Sequence, residues 1–146
     1  MHLSVVASKT PYKTAVVFGD TRISYGALDA ASRRIAVSSR HCGLNRGDVM
    51  GVMMATGPEV VAAIAAAQRS GLYCLPLAPK LTPSELQYIL KDSGAKLLVA
   101  DRGNEQKASA AAVDIPDLTV SSLAGVDHLF ELEECPNDPD PVEGGD

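Results

Sequence analysis

The chain has no tryptophan, and its four tyrosines and two phenylalanines amount to 4% of 146 residues. A core of stacked aromatic rings is therefore excluded, and so is the aromatic platform on which single-stranded nucleic acid stacks. Hydrophobic residues still make up 46%, mostly Ala, Val and Leu. A chain of this size buries roughly 70% of the surface that its unfolded form exposes. The core is expected to be one of small aliphatic side chains.

Cysteine is sparse, with Cys42, Cys74 and Cys135 far apart, in an odd number and in no Cys-x-x-Cys pair. Neither a disulfide framework nor a zinc site with His at ligand spacing follows, so a reduced compartment is the expectation and the protein is placed in the cytoplasm. Long apolar runs are also missing. The longest stretch without a strongly polar residue, Val60 to Ala67, is much too short to cross a bilayer. Met1 to Ser8 has no basic lead and too short an apolar run for a signal peptide.

Positive charge stops before residue 131: all 13 Lys and Arg precede it, whereas Glu131 to Asp146 carries 7 acids and no basic residue. Residues 1–130 hold 13 basic against 11 acidic side chains, so no bulk attraction to nucleic acid is expected. Arg33, Arg34 and Arg40 read as the solvated face of a helix. The last segment mixes its acids with Pro136, Pro139, Pro141, Gly144 and Gly145, a composition unable to form a core. The expected organisation is one domain over residues 1–130 and an acidic tail or linker over 131–146.

Reactive constellations are scarce as well. A phosphate cradle requires adjacent backbone N–H groups from a Gly-rich loop, and neither Gly-x-x-x-x-Gly-Lys nor Gly-x-Gly-x-x-Gly occurs. Gly43, Gly47 and Gly51 read as a helix stop, a turn and a strand residue. Of His2, His41 and His128, His41 falls in the last turn of a helix, where a cation complements the macrodipole. Asp127 and His128 have no assigned Ser or Cys partner for a triad. Glu134, Asp138, Asp140 and Glu143 match no calcium loop. Met50, Met53 and Met54 are expected to pack, and Cys42 and Cys74 to lie in the core as small apolar groups. No catalytic, cofactor-binding or metal residue is assigned.

What is present is a regular alternation of elements. Ala15–Phe18 and Thr21–Ser24 flank Gly19-Asp20, the pattern of a β-hairpin. Ser24 caps a helix from Tyr25 to Cys42 with Leu28, Ala31, Ile35 and Cys42 on one face, and Gly43 stops it. Val49 to Met54 is an apolar run suited to a strand covered on both faces. Glu59 to Ser70 is Ala-rich, with apolar residues all round, and is expected to be buried on more than one side. Tyr73 to Leu77 is a strand with Pro76 at its end. Thr82-Pro-Ser-Glu85 is a capping box opening a helix that runs to Asp92. Lys96 to Ala100 is a strand, Asn104 to Ala112 a helix and Leu118 to Val120 a short strand. Right-handed crossovers then imply an α/β fold: a parallel sheet with helices on both faces, preceded by the hairpin.

The ordered set Ile23-Ser-Tyr25, Gly43-Leu-Asn-Arg-Gly-Asp48, Gly57-Pro-Glu59, Gly71-Leu-Tyr-Cys-Leu-Pro76, Leu81-Thr-Pro-Ser-Glu-Leu86 and Ser93-Gly-Ala-Lys-Leu-Leu98 resembles the amino-terminal end of acyl-CoA synthetases of the adenylate-forming, AMP-binding superfamily. The Gly43–Asp48 and Gly57–Glu59 segments look most like bacterial fatty-acid-CoA ligases. The resemblance implies a partial N-terminal subdomain of that fold and a reaction that activates a fatty acid with ATP to an acyl-adenylate and passes it to CoA. The family uses ATP, Mg2+ and CoA; this chain alone is expected to bind none of them, since the family's phosphate loop and catalytic Lys have no matching position here. Ala27, Thr56 and Ala78 depart from the usual pattern, which has an acid, Asn and a small polar residue at these places. A truncated ligase, inactive alone, is expected; the alternative is a nonenzymatic interaction module or half of a split ligase, whose partner is the missing carboxy-terminal part.

Overall fold

The computed structural model describes residues 2–122 and 130. Asp127, His128, Cys135, the acids of 131–146 and the boundary of the expected tail lie outside the described residues. The elements run α1 (Leu3–Lys9), β1 (Thr14–Phe18), β2 (Thr21–Ser24), α2 (Tyr25–His41), β3 (Val49–Met53), α3 (Pro58–Ser70), β4 (Tyr73–Pro76), α4 (Pro83–Ser93), β5 (Leu97–Ala100), a 3-10 turn (Arg102–Asn104), α5 (Glu105–Ala112) and β6 (Thr119–Ser122).

Strands β1 and β2 form the antiparallel hairpin, turning at Gly19 with φ +59°. The other four strands make one sheet in the order β4-β3-β5-β6, every pair parallel. Alternation along the strands sends successive side chains to opposite faces. Met50, Val52, Leu97 and Val99 meet α2 and α3 on one face, through Leu28, Ala31, Ile35, Ala62 and Ala66. Met53, Leu98 and Ala100 meet α4 and α5 on the other, through Leu86, Leu90, Ala108 and Ala111. The small-aliphatic core is thus two layers that share one sheet. Gly51 keeps β3 thin where α4 approaches: a Cβ there would stand 3.1 Å from Leu98 Cδ1 and 3.2 Å from Leu77 Cδ1.

Helix ends follow the sequence closely. Ser24 Oγ accepts from the Ala27 N–H at 3.1 Å, and no carboxylate returns the bond because residue 27 is Ala. At α4 both halves of the box form: Glu85 N–H donates to Thr82 Oγ1 at 3.2 Å, and Thr82 N–H to Glu85 Oε2 at 2.9 Å. Gly71 and Gly94 end α3 and α4 in the left-handed conformation, with φ +69° and +66°.

Two expectations need correction, and one element is new. Cys42 is exposed, not in the core; α2 ends at His41 and the turn through Gly43 brings Leu44 inward, 6% exposed, to close that end of the layer. Helix α3 is not buried all round: its fully buried alanines, 62, 63, 66 and 67, form one stripe, and Val61 faces out at 38% exposure. Alanine marks no side as apolar by size, so the composition concealed the stripe. Helix α1 was not anticipated; it is seven residues long, has no side-chain cap and buries only Ala7.

Candidate functional site

In an open parallel sheet a ligand crevice forms outside the carboxyl ends of the strands, where neighbouring strands send their connections in opposite directions. Here that point lies between β3, whose helix α3 leads to β4, and β5, whose helix α5 leads to β6 on the other side. The segments that meet there are Met54–Gly57 after β3 and Asp101–Asn104 after β5.

Asp101 ties them together. One carboxylate oxygen accepts the Ala55 N–H at 2.8 Å, and the other accepts the Asn104 backbone N–H at 3.1 Å and its side-chain amide at 2.6 Å. The Asp101 N–H donates to the Met53 carbonyl at 3.3 Å. Lys107 of α5 donates to the Pro79 carbonyl, fastening the loop after β4 to the same end of the sheet. Thr56 stands in this crevice loop and Ala78 in the loop after Leu77.

The helix N-termini are the natural anion sites of such a sheet, since their free N–H groups and dipole attract phosphate. At α2, α3, α4 and the 3-10 turn they are self-filled. Pro58 opens α3 without an N–H, and the Glu59 carboxylate folds back over that start, its Oε2 2.8 Å from where a Cβ of Gly57 would stand. Thr82 and Glu85 occupy the start of α4, Ser24 that of α2, and Asp101 that of the 3-10 turn.

Other chemistry-bearing residues are dispersed. His2 precedes α1 beside a cavity of about 130 Å³ next to Gln68 and Arg69, and His41 is exposed at the end of α2. Cys74 is half-buried, and burial pushes its thiol pKa up. Met50, Met53 and Met54 are core residues, at most 6% exposed. Among the described residues no group of three or more His, Cys, Asp and Glu could hold a metal ion, and no helix is long and apolar enough to cross a membrane.

Two charge clusters were not foreseen. Asp29, buried in α2, pairs with Arg33 at 3.2 Å and with Arg69 of α3. Only the Arg33 spacing, one helical turn on, was readable; Arg69 lies 40 residues away. Asp48 accepts the Asn45 N–H at 2.8 Å and pairs with Lys96 at 3.0 Å. Those two contacts, the backbone bond first, hold its carboxyl below the ordinary value.

A family described as "AMP-binding enzyme" matches residues 3–143. The chain belongs to that family. Bacitracin synthase 1 of Bacillus licheniformis is 27% identical over 121 residues, which are 83% of this chain and 2% of that protein. The O-succinylbenzoate Coenzyme A Synthetase (MenE) of Bacillus subtilis, solved with AMP, superposes with a TM-score of 0.73 at 27% identity, covering 88% of this chain and 32% of that one. The N-terminal domain of FACL13 from Mycobacterium tuberculosis gives 0.76 at 22% identity, covering 99% of this chain and 38% of that one. This chain therefore spans about a third, or far less, of the relatives it matches, and it corresponds to the amino-terminal part of the adenylate-forming fold. The family resemblance holds at that level; relatives that include a bacitracin synthase and an O-succinylbenzoate synthetase do not single out fatty-acid ligases.

Proposed function

We propose that this chain is the amino-terminal scaffold of an adenylate-forming ligase, one that joins a carboxylic acid to AMP from ATP before the acyl group moves to a thiol. The observation that carries the reading is the superposition of 88% of this chain on a synthetase solved with AMP, at 27% identity. A fatty acid as the substrate rests only on the Gly43–Asp48 and Gly57–Glu59 segments, so the proposal is held at a carboxylic acid. ATP, Mg2+ and CoA enter this reading as the family's cofactors: at α2, α3, α4 and the 3-10 turn the helix start carries a Pro, a carboxylate or a side-chain cap of its own, which supports placing their contacts elsewhere in the fold. Nucleotide chemistry is thereby assigned to the part of the fold outside those residues.

The test is adenylate formation, read as ATP–pyrophosphate exchange and as hydroxamate trapping, over a panel of fatty, aryl and amino acids. The chain alone is expected to give no exchange above background. Assembled with the remainder of a family member it is expected to support exchange with one acid class. Acid-dependent exchange by the chain alone would overturn the scaffold reading, and none with any acid after assembly would overturn the ligase reading.

A further inference from the structure

The outer faces of the two long exposed helices differ in charge. Along α2 the exposed positions include Arg33, Arg34, Arg40 and His41, with Val37 among them. A second copy laid antiparallel on that face would set positive charge against positive charge. On α4, beyond the opening Pro83, the exposed positions are Ser84, Glu85, Tyr88, Lys91 and Asp92, so both signs are present. Tyr88 is 70% exposed and stands across the helix from Leu86 and Leu90, which are fully buried. Beside its ring lies a shallow depression of about 480 Å³ bounded by Leu81, Ser84, Glu85 and Ile89. An exposed aromatic with apolar neighbours is a surface suited to being covered.

The charges around Tyr88 are symmetric in spacing and opposite in sign. Glu85 and Lys91 lie three residues to either side of it, which places them about 60° to the left and right of the ring on the helix surface. A two-fold axis between Tyr88 of one copy and Tyr88 of another makes the two α4 helices antiparallel. It sets Glu85 of each opposite Lys91 of the other, and Ser84 opposite Asp92. The rings meet on the axis, and two ion pairs flank them as they flank the seam of a coiled coil. A parallel arrangement would put Glu85 against Glu85, so the charges select the antiparallel one. Glu85 Oε2 already accepts the Thr82 N–H at 2.9 Å, which holds the carboxylate in place and leaves its second oxygen for the cation of the other copy. An eleven-residue helix is only about 16 Å long, so the contact falls below the size of a permanent interface and the pairing is weak and reversible.

We infer that the outer face of α4 is a recognition surface for a second copy of this chain, two α4 helices packing antiparallel about Tyr88 with Glu85 of each paired to Lys91 of the other. The inference stands apart from the ligase reading, since neither nucleotide nor acid enters it. The outer face of α2, where Val37 is 48% exposed, lies outside the contact.

The test is sedimentation equilibrium of the 146-residue chain, which is expected to show a reversible dimer as the concentration rises toward about 1 mM. Tyr88→Asp is expected to raise the dissociation constant about tenfold, and Val37→Asp to leave it unchanged. Glu85→Lys or Lys91→Glu alone sets like charges opposite each other and is expected to raise it about threefold at low salt. Mixing the two singly substituted chains places opposite charges at both positions, and pairing is expected to return to that of the unsubstituted chain. In Tyr88→Cys, mild oxidation is expected to join two copies through the introduced thiols, mapped by peptide mass spectrometry, faster than through the exposed Cys42. A chain that stays monomeric, a dimer indifferent to Tyr88→Asp, or single variants that fail to pair on mixing would overturn the inference. So would an introduced thiol that is shielded from maleimide only when the remaining part of a family member is added, which would give the face to that polypeptide. If circular dichroism shows Glu85→Lys unfolded through loss of the capping box, the thiol cross-link decides.

Discussion

Asp48 illustrates how a loop residue sets the sheet's starting register. It sits in the Asn45–Asp48 turn immediately before β3, takes the Asn45 N–H on one oxygen and reaches Lys96, just before β5, with the other. The two central strands are thereby tied together at their amino ends by a single carboxylate. Its folded pKa is depressed, first by the Asn45 bond and then by Lys96. The linkage sign follows: above the ordinary carboxylate value the charged form adds stability to the fold, and that contribution is lost as pH falls from the ordinary value through the lower folded one. Asp48→Asn is expected to lower the midpoint of thermal unfolding at neutral pH, and to narrow its gap from the unsubstituted chain as the pH is taken down through that window. Unfolding midpoints followed between neutral and acid pH check it, and a gap that stays constant would assign the loss to something other than charge.

At the scale of elements, the strongest local signals are the ones that the structure follows most closely. The capping box at Thr82 is complete, because Pro83 sets the first helical φ and Glu85 is placed to bond back. Thr82→Ala removes one of two reciprocal bonds and is expected to cost about 1 kcal/mol, read as faster amide exchange in the first turn of α4 with little change in α2. Gly71 and Gly94 were readable for the same reason, since a left-handed residue closes a helix at little cost only when it lacks a Cβ. Elements without such punctuation were harder. Helix α1 offers no cap and too few turns for a period, and the one-sided burial of α3 is invisible in a run of alanines. Cys42 was misplaced because helical spacing was carried one residue past the last turn. The strand order and the Asp29–Arg69 pair were not readable at all, because both depend on contacts between distant parts of the chain. The crevice at the carboxyl ends of β3 and β5 shares that origin: no motif marks Asp101, and only the strand order reveals that it stands where two connections diverge.

For the molecule as a whole, the decisive feature is that both hydrophobic layers are built on the same two strands. Met50 and Val52 of β3 and Leu97 and Val99 of β5 belong to the layer under α2 and α3, while Met53, Leu98 and Ala100 belong to the layer under α4 and α5. Loosening either layer therefore frees strands that the other needs, and the two cannot melt independently so long as β3 and β5 stay paired. Ile35, 2% exposed in the first layer, and Leu90, fully buried in the second, provide matched probes. Ile35→Ala and Leu90→Ala are each expected to cost about 2–5 kcal/mol. Each should lower the midpoint of one shared transition, with far-ultraviolet dichroism and the combined fluorescence of the four tyrosines changing together. A transition that split in two after either substitution would show that the layers are separate folding units joined by a sheet that outlasts one of them.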